Sequence, residues 1–302
     1  MTIALLFPGQ GAQTVGMGAE LAARNPNAVA LFERAQEILG YNLLKLCIEG
    51  PSDQLNCTEF SQPALFVHSC AVLEELEQQQ PGLWNDVSAV AGLSLGEYSA
   101  LAATRAITFE DGVRLVQARG QAMQAAANQV ASGMSSIIGL GQDLLQSVCQ
   151  AASRPDCFVQ IANLLCPGNI AISGHTEALE KAESLALEAG AMKAVRLQVA
   201  GAFHTSIMQP AVESLQVALA QTGFSSPRVP IYSNVDARPH AAPEELQRLL
   251  SQQVISPVLW EESLRNLLAS GVENFYEIGA GKVLAGTIKR INRKMPCQSF
   301  GG

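Results

Sequence analysis

The apolar run Val87–Ala91 leads into Gly92-Leu93-Ser94-Leu95-Gly96 and then into the helix-compatible stretch Glu97–Ala103. In a G-x-S-x-G sequence, small residues two before and two after the serine let the chain make a strained strand-to-helix turn that exposes the hydroxyl. The pattern arises by accident in roughly one chain in ten of this length, so its setting between a strand and a helix carries the argument. Backbone N–H groups at a helix start also point toward such a serine and would meet an oxyanion formed there. Two readings follow. Ser94 is a nucleophile, or it is a solvent-facing serine in a glycine-rich turn.

The rest of the chain sets this turn in an α/β frame. Ile3–Phe7 reads as a strand, helices follow near Val29–Leu39 and over Pro63–Gln78, and Val87–Ala91 is the next strand. Such alternation predicts a parallel sheet covered by helices. Between Ser132 and Val199 the pattern changes to strand Met134–Leu140, helix Asp143–Ala152, strand Phe158–Leu164, a turn at Cys166-Pro167-Gly168-Asn169, strand Ile170–Ser173, helix Thr176–Ala189 and strand Lys193–Val199. That βαββαβ order is the ferredoxin-like split motif. The expected organisation is a larger α/β-hydrolase-like catalytic domain, residues 1–130 and 199–302, with a small ferredoxin-like subdomain, residues 131–198, inserted into it. The junction of two such units is a common place for a substrate cleft. The extreme C-terminus and the loop Asp236–Pro243 read as disordered.

Composition excludes several classes. With 302 residues, 48% apolar and 15% charged, the chain can bury a large core. A formal charge of -8 opposes a nucleic-acid surface, which needs clustered Lys and Arg. The seven cysteines are odd in number and contain no C-x-x-C pair, which suits unpaired thiols in a reducing compartment and no zinc site. No segment reaches 18 apolar residues and the start lacks a basic n-region, so the expectation is no membrane association. A cytoplasmic protein is expected, or one of a plastid or other organelle matrix if a transit peptide has been removed.

A serine nucleophile needs a base, and the chain has four histidines. His68 lies in the apolar stretch Ala64–Leu73 and reads as a core or interface residue; His175 and His240 sit in polar loop sequence. His204, in Gly201-Ala202-Phe203-His204, falls where the two units should meet, which leaves it a base or a helix-capping loop histidine. No acid is obviously placed to orient it, so a Ser-His dyad with a backbone carbonyl behind the imidazole and a full triad both remain open.

Placed on a helix at 100° per residue, Phe109–Ala127 puts Glu110, Arg114, Gln117, Gln121 and Gln124 on one side and Leu115, Val116, Gly120 and Met123 on the other. Arg119 falls among the apolar set. A guanidinium there is costly unless an anion meets it, because arginine cannot shed its proton. Either a structural carboxylate pairs with it, or the carboxylate of a substrate does; a fork of donors suits bidentate recognition of a carboxylate-bearing acyl group.

Taken together, Phe7-Pro8-Gly9-Gln10-Gly11-Ala12-Gln13, Gly92-Leu93-Ser94-Leu95-Gly96-Glu97-Tyr98-Ser99-Ala100, Arg119-Gly120-Gln121-Ala122-Met123, Phe203-His204 and Gly279-Ala280-Gly281-Lys282-Val283-Leu284 closely resemble the malonyl-CoA:acyl carrier protein transacylases of type II fatty acid synthesis. The likeness runs from the first residues to about Arg293. It implies Ser94 as nucleophile, His204 as base and Arg119 as the group that binds the free malonyl carboxylate. It further implies Gln10 and Leu95 backbone N–H groups as the oxyanion hole, and the Gln253 backbone carbonyl as the acceptor that orients His204. Phe203 matches malonyl-selective relatives, in which a bulky ring leaves little room for a methyl branch. Many members carry histidine immediately before the nucleophile, whereas this chain has Leu93. The segment Gly279–Leu284 is no phosphate loop, because the spacing fails at Tyr276, and it reads as a turn into the last helix.

The resemblance implies malonyl-CoA as substrate and an acyl carrier protein as transient, electrostatic partner, with no cofactor, no metal and a monomeric enzyme. Lys282, Lys289, Arg290, Arg293, Lys294, Lys193 and Arg196 are candidates for a basic face toward that acidic partner. Three other readings compete: a serine thioesterase or esterase, an acyltransferase serving polyketide synthesis in trans, and a non-catalytic binding module of the same fold.

Overall fold

Residues 2–301 are described in a computed structural model, and two sheets organise them. The apolar segment Ile3–Phe7 forms β1, buried along its whole length, in the middle of a six-stranded sheet. It pairs in parallel with β2 (Val87–Gly92) on one side and, on the other, with a late strand, Asn274–Ile278. Strands hidden on both faces carry no polar alternation, which is why Ile3–Phe7 is a continuous apolar run.

The second sheet is antiparallel and arises from consecutive sequence: β3 (Ser132–Ile138), β4 (Val159–Cys166), β5 (Asn169–His175) and β6 (Lys193–Arg196), in spatial order β4-β5-β3-β6. Helices Gln142–Ala152 and Thr176–Glu188 cover it through a separate apolar cluster that includes Ile137, Leu145, Val148, Ile172 and Leu179. Gly139, at φ 98°, ends β3 two residues earlier than apolarity predicts. The first sheet is completed by β7 (Ile231–Tyr232), β8 (Pro239–His240), β9 (Asn274–Ile278) and β10 (Cys297–Phe300), giving the order β10-β9-β1-β2-β7-β8. All its pairings are parallel except β7 with β8.

Three expectations are corrected. Of the C-terminal segment expected to be disordered, Cys297–Phe300 is ordered, adding an edge strand to β9 with Phe300 packed 5.0 Å from the Tyr276 ring, while Gly302 lies outside the described residues. The loop Asp236–Pro243 is ordered as well: it contains β8, and His240 stands between Asp236 and Glu245 at 3.0 Å from each. The helix expected from Pro63 starts five residues earlier and runs Thr58–Gln79 with Pro63 inside it, buried against neighbours that hold the first turn in place.

Two long helices bring the site together. Helix Phe109–Ala127, capped by Thr108 Oγ1 accepting the Asp111 N–H at 3.1 Å, packs along Thr58–Gln79. The approach is close because a Cβ on Gly120 would lie 2.8 Å from the Thr58 carbonyl oxygen, and it carries Arg119 to Gln62. The two sheets are joined at β4, where Leu164 N–H donates to Val258 O at 2.9 Å and Val258 N–H to Ala162 O at 2.8 Å. All seven cysteines are unpaired, and no helix among the described residues is long and apolar enough to cross a membrane.

Candidate active site

Ser94 sits at the end of β2, on a turn that leads directly into helix Gly96–Ala103, with φ 51°. A non-glycine residue in the left-handed region is strained and needs its surroundings to hold it. Gly92 and Gly96 make the turn possible, since a Cβ on Gly92 would overlap the Gly96 backbone and one on Gly96 would overlap the Phe7 carbonyl. The same closeness brings the Phe7–Gln10 segment against the elbow, where Leu93 N–H donates to Phe7 O at 3.0 Å. Among the described residues, neither the Gln10 N–H nor the Leu95 N–H meets a protein acceptor.

His204 is the second strained residue, at φ 61°, and it is 3% exposed. Its Nε2 lies 2.9 Å from Ser94 Oγ and its Nδ1 2.8 Å from the Gln253 carbonyl oxygen. A carbonyl can only accept, so Nδ1 carries the proton and the Nε2 lone pair faces the serine hydroxyl. Burial first and then the nearby Arg119 charge lower the imidazole pKa to about 4, against the opposing pull of the Gln253 carbonyl. His204 is therefore neutral near pH 7. No carboxylate stands behind it, which closes the choice between dyad and triad in favour of the carbonyl-held arrangement.

Arg119 is 1% exposed, as its place on the apolar stripe requires. It has no carboxylate partner among the described residues within ion-pair distance. Its Nη1 donates to Gln62 Oε1 at 2.9 Å, and its Nη2 to Gln253 Oε1 at 2.9 Å and to Ser94 Oγ at 3.0 Å. A guanidinium has five N–H donors; three are engaged, and Nε is buried with no partner. Its charge also faces the Tyr98 ring, 5.3 Å from the centroid. The unspent donors and unneutralised charge suit an incoming anion beside the serine.

The structure thus brings Ser94, His204, Arg119 and Gln253 into direct contact. Gln10 and Leu95 flank the same turn. Phe203 is buried in the main core next to His204, 4% exposed. Leu93, where many relatives have histidine, is buried in an apolar cluster that includes Ala91, Tyr232, Val258 and Trp260.

Sequence reasoning missed three contributors, Asn234, Glu97 and Gln62, and a second role of Gln253. Gln253 acts with its side chain as well as its carbonyl, since Nε2 donates to Ser94 O at 2.9 Å and to Glu97 Oε2. Asn234 Oδ1 accepts the Ser94 N–H at 2.6 Å, and Asn234 Nδ2 donates to Gly92 O at 2.8 Å. Glu97 Oε1 accepts the Asn234 N–H at 2.6 Å, and Gln62 meets Arg119. Glu97 had a signal of the kind that exposed Arg119: it is the one charged residue on a helix, Gly96–Ala103, that is otherwise buried almost throughout. Asn234 had none, because its role depends on a loop 140 residues from Ser94. Burial outweighs the Asn234 N–H, the Gln253 amide, the Arg119 charge and the Ser233 hydroxyl and leaves the Glu97 carboxyl raised to about 7. No group of three or more His, Cys, Asp or Glu side chains among the described residues is placed to hold a metal ion.

A half-buried hydroxyl between a neutral imidazole and a guanidinium, beside two free N–H groups, is equipped for acyl transfer with a carboxylate-bearing acyl group. Comparison with known proteins points the same way. Residues 4–299 match the acyl transferase domain. The malonyl CoA-acyl carrier protein transacylase of Bacillus subtilis is 42% identical over 293 residues, 97% of this chain and 91% of that protein. The acyl-carrier-protein-S-malonyltransferase of Bartonella henselae superposes with a TM-score of 0.95 at 39% identity, over 100% of this chain and 96% of that one. A malonyl-transacylase in complex with its type II PKS acyl-carrier protein superposes with a TM-score of 0.94 at 36% identity, over 99% and 96%. Matched over nearly its whole length in sequence and in fold, the chain belongs to the acyl transferase domain family, in the group of malonyl CoA-acyl carrier protein transacylases.

Proposed function

We propose that this enzyme moves a malonyl group from malonyl-CoA to the phosphopantetheine thiol of an acyl carrier protein, through a Ser94 ester, in the service of fatty acid synthesis. One observation carries the reading: Ser94 Oγ is 2.9 Å from His204 Nε2 and 3.0 Å from Arg119 Nη2. Base and carboxylate clamp converge on one oxygen.

In the first half-reaction His204 Nε2 takes the Ser94 proton as Oγ attacks the thioester carbonyl. The Gln10 and Leu95 N–H groups receive the oxyanion. The intermediate collapses, the C–S bond breaks, and the imidazolium returns its proton to the departing coenzyme A sulfur. The carrier thiol then gives its proton to His204, attacks the ester and leaves as malonyl thioester, with Oγ reprotonated. Gln253 O holds the imidazolium through Nδ1–H in both halves. Arg119 binds the free carboxylate with its unspent donors, and a charge-assisted pair of about 1.5–3 kcal/mol favours malonyl over acetyl by roughly 10- to 150-fold. Phe203, directly before the base, limits the room for a branched acyl group. Malonyl-CoA is substrate and the phosphopantetheine belongs to the carrier, so the scheme uses no resident cofactor.

We read residues 1–130 and 199–302 as the catalytic unit and 131–198 as the inserted one, the two touching where Gln160 Nε2 reaches His204 O at 3.4 Å. The same reading places the enzyme in the cytoplasm or an organelle matrix, in keeping with a mouse relative that is 39% identical and named mitochondrial. Supply of a polyketide carrier is the second reading, favoured by the likeness to the malonyl-transacylase bound to a type II PKS carrier.

The test is to incubate the enzyme with malonyl-CoA alone, quench in acid and map the intact-mass adduct. A malonyl ester on Ser94 supports the reading. Free malonate without an adduct indicates a hydrolase, and neither product indicates a binding module.

A further inference from the structure

Ser94 is gripped at both ends of its peptide unit. Its N–H donates to Asn234 Oδ1 at 2.6 Å, and its C=O accepts from Gln253 Nε2 at 2.9 Å. Those two partners meet again at a single carboxylate. Glu97 Oε1 accepts the Asn234 backbone N–H at 2.6 Å, and Glu97 Oε2 accepts from Gln253 Nε2. The ring also reaches outward, because Gln253 Oε1 accepts Arg119 Nη2 at 2.9 Å while the Gln253 carbonyl holds His204 Nδ1 at 2.8 Å.

We propose that Glu97 is the positioning residue of this site: with both of its oxygens facing donors, it sets the sense of the hydrogen bonds around it and so orients the Gln253 amide, the Ser94 backbone and the Arg119 guanidinium together. The inference rests on the reading of Ser94 and Arg119 given above.

The Asn234 N–H and Gln253 Nε2 each point a donor at one Glu97 oxygen, so this geometry uses both oxygens as acceptors. Gln253 must turn Nε2 toward Glu97 and the Ser94 carbonyl, which leaves Oε1 for Arg119. An amide at position 97 has one acceptor and one donor, so it satisfies one neighbour and opposes the other. Flipping Gln253 to relieve that conflict sets Nε2 against the Arg119 donors and Oε1 against the Ser94 carbonyl. Every arrangement leaves a buried mismatch. Glu97 also acts on Arg119 through Gln253 rather than by direct pairing. A direct carboxylate partner would compete with a substrate carboxylate, whereas an amide oxygen orients the guanidinium and leaves its charge uncommitted.

The test compares wild type, Glu97→Gln and Ser99→Ala, a buried neighbour on the same helix that takes no part in the ring. The measurements are single-turnover loading of Ser94 from malonyl-CoA and from acetyl-CoA, with thermal melting to follow the fold. Glu97→Gln should slow malonyl loading about 10- to 100-fold. Acetyl loading, which does not use Arg119, should fall less, so that the malonyl-to-acetyl ratio drops at least about tenfold. Ser99→Ala should keep both rates. A malonyl-to-acetyl ratio in Glu97→Gln within about twofold of wild type, at any absolute rate, overturns the proposal. Should Glu97→Gln not fold, Gln253→Met cuts the ring between Glu97 and Arg119 while keeping the backbone carbonyl; it should show the same collapse of the ratio, and an unchanged ratio overturns the proposal. A wild-type enzyme that forms no ester removes the reading of Ser94 itself, whereas a wild-type ester with the ratio preserved in the variant removes this inference alone.

Discussion

Arg119 Nη2 donates to Ser94 Oγ across 3.0 Å, from a helix that packs beside the one Ser94 initiates. The guanidinium thus shares with His204 the task of holding the hydroxyl, and its two unspent donors define where an anion fits. On the proposed reading a malonyl carboxylate would take that place, whereas acetyl has no group to fill it.

Arg119→Ala should accordingly lower malonyl loading of Ser94 by about 10- to 150-fold while acetyl loading persists. Intact-mass quantification of both esters at matched donor concentrations checks it. Equal loss of the two would mean that the arginine serves the fold or the hydroxyl rather than the acyl group.

Gly92→Ala should fail differently. Its new methyl would overlap the Gly96 backbone inside a turn that already holds Ser94 at φ 51°. Overpacking of this kind costs about 1–3 kcal/mol and occasionally more, so a denaturant melt should show the loss and Ser94 should load neither acyl group. Wild-type stability would show that the turn tolerates a side chain there.

His68 predicts a pH effect away from the chemistry. Both of its ring nitrogens are buried without partners, and burial pushes its pKa down to about 4. The unfolded chain titrates near 6.5, so between these values it binds more protons than the folded one, and stability is lost as pH falls from about 6.5 to about 4. His68→Met removes this titration. Its stability relative to wild type should rise by about 2 kcal/mol between pH 7 and pH 5, measured by urea melts; a difference independent of pH would refute the assignment.

The last helix, Val283–Ile291, and the residues on either side of it expose Lys282, Lys289, Arg290, Arg293 and Lys294. Arg196 on β6 is already engaged with Glu183 at 2.9 Å and has less charge to offer a partner. Reversing Lys289, Arg290 and Arg293 together should raise KM for the carrier protein about tenfold and spare the malonyl-CoA half-reaction. Equal effects on both half-reactions would place the carrier elsewhere.

Much of the frame was legible because it is local. Apolar runs flanked by turn residues marked Ile3–Phe7 and Val87–Gly92, and the order of elements from Ser132 to Arg196 marked the ferredoxin-like sheet. Arg119 was legible because a charge on an apolar helical face is anomalous at fixed spacing. Glu97 was anomalous in the same way. The strand Cys297–Phe300 was not legible: its short, mixed sequence becomes a strand only because β9 offers an unpaired parallel edge.

The sequence by itself determined the turn that presents Ser94, the helix that carries Arg119 and the small unit that ends just before His204, since each depends on periodicity and steric limits within a few dozen residues. Only the tertiary structure decided how these meet. Asn234, Gln253 and Glu97 close on Ser94 from positions up to 159 residues away. Buried polar groups must all find partners, and that demand is settled by which side chains face one another across the core, a relation that spacing along the chain does not encode.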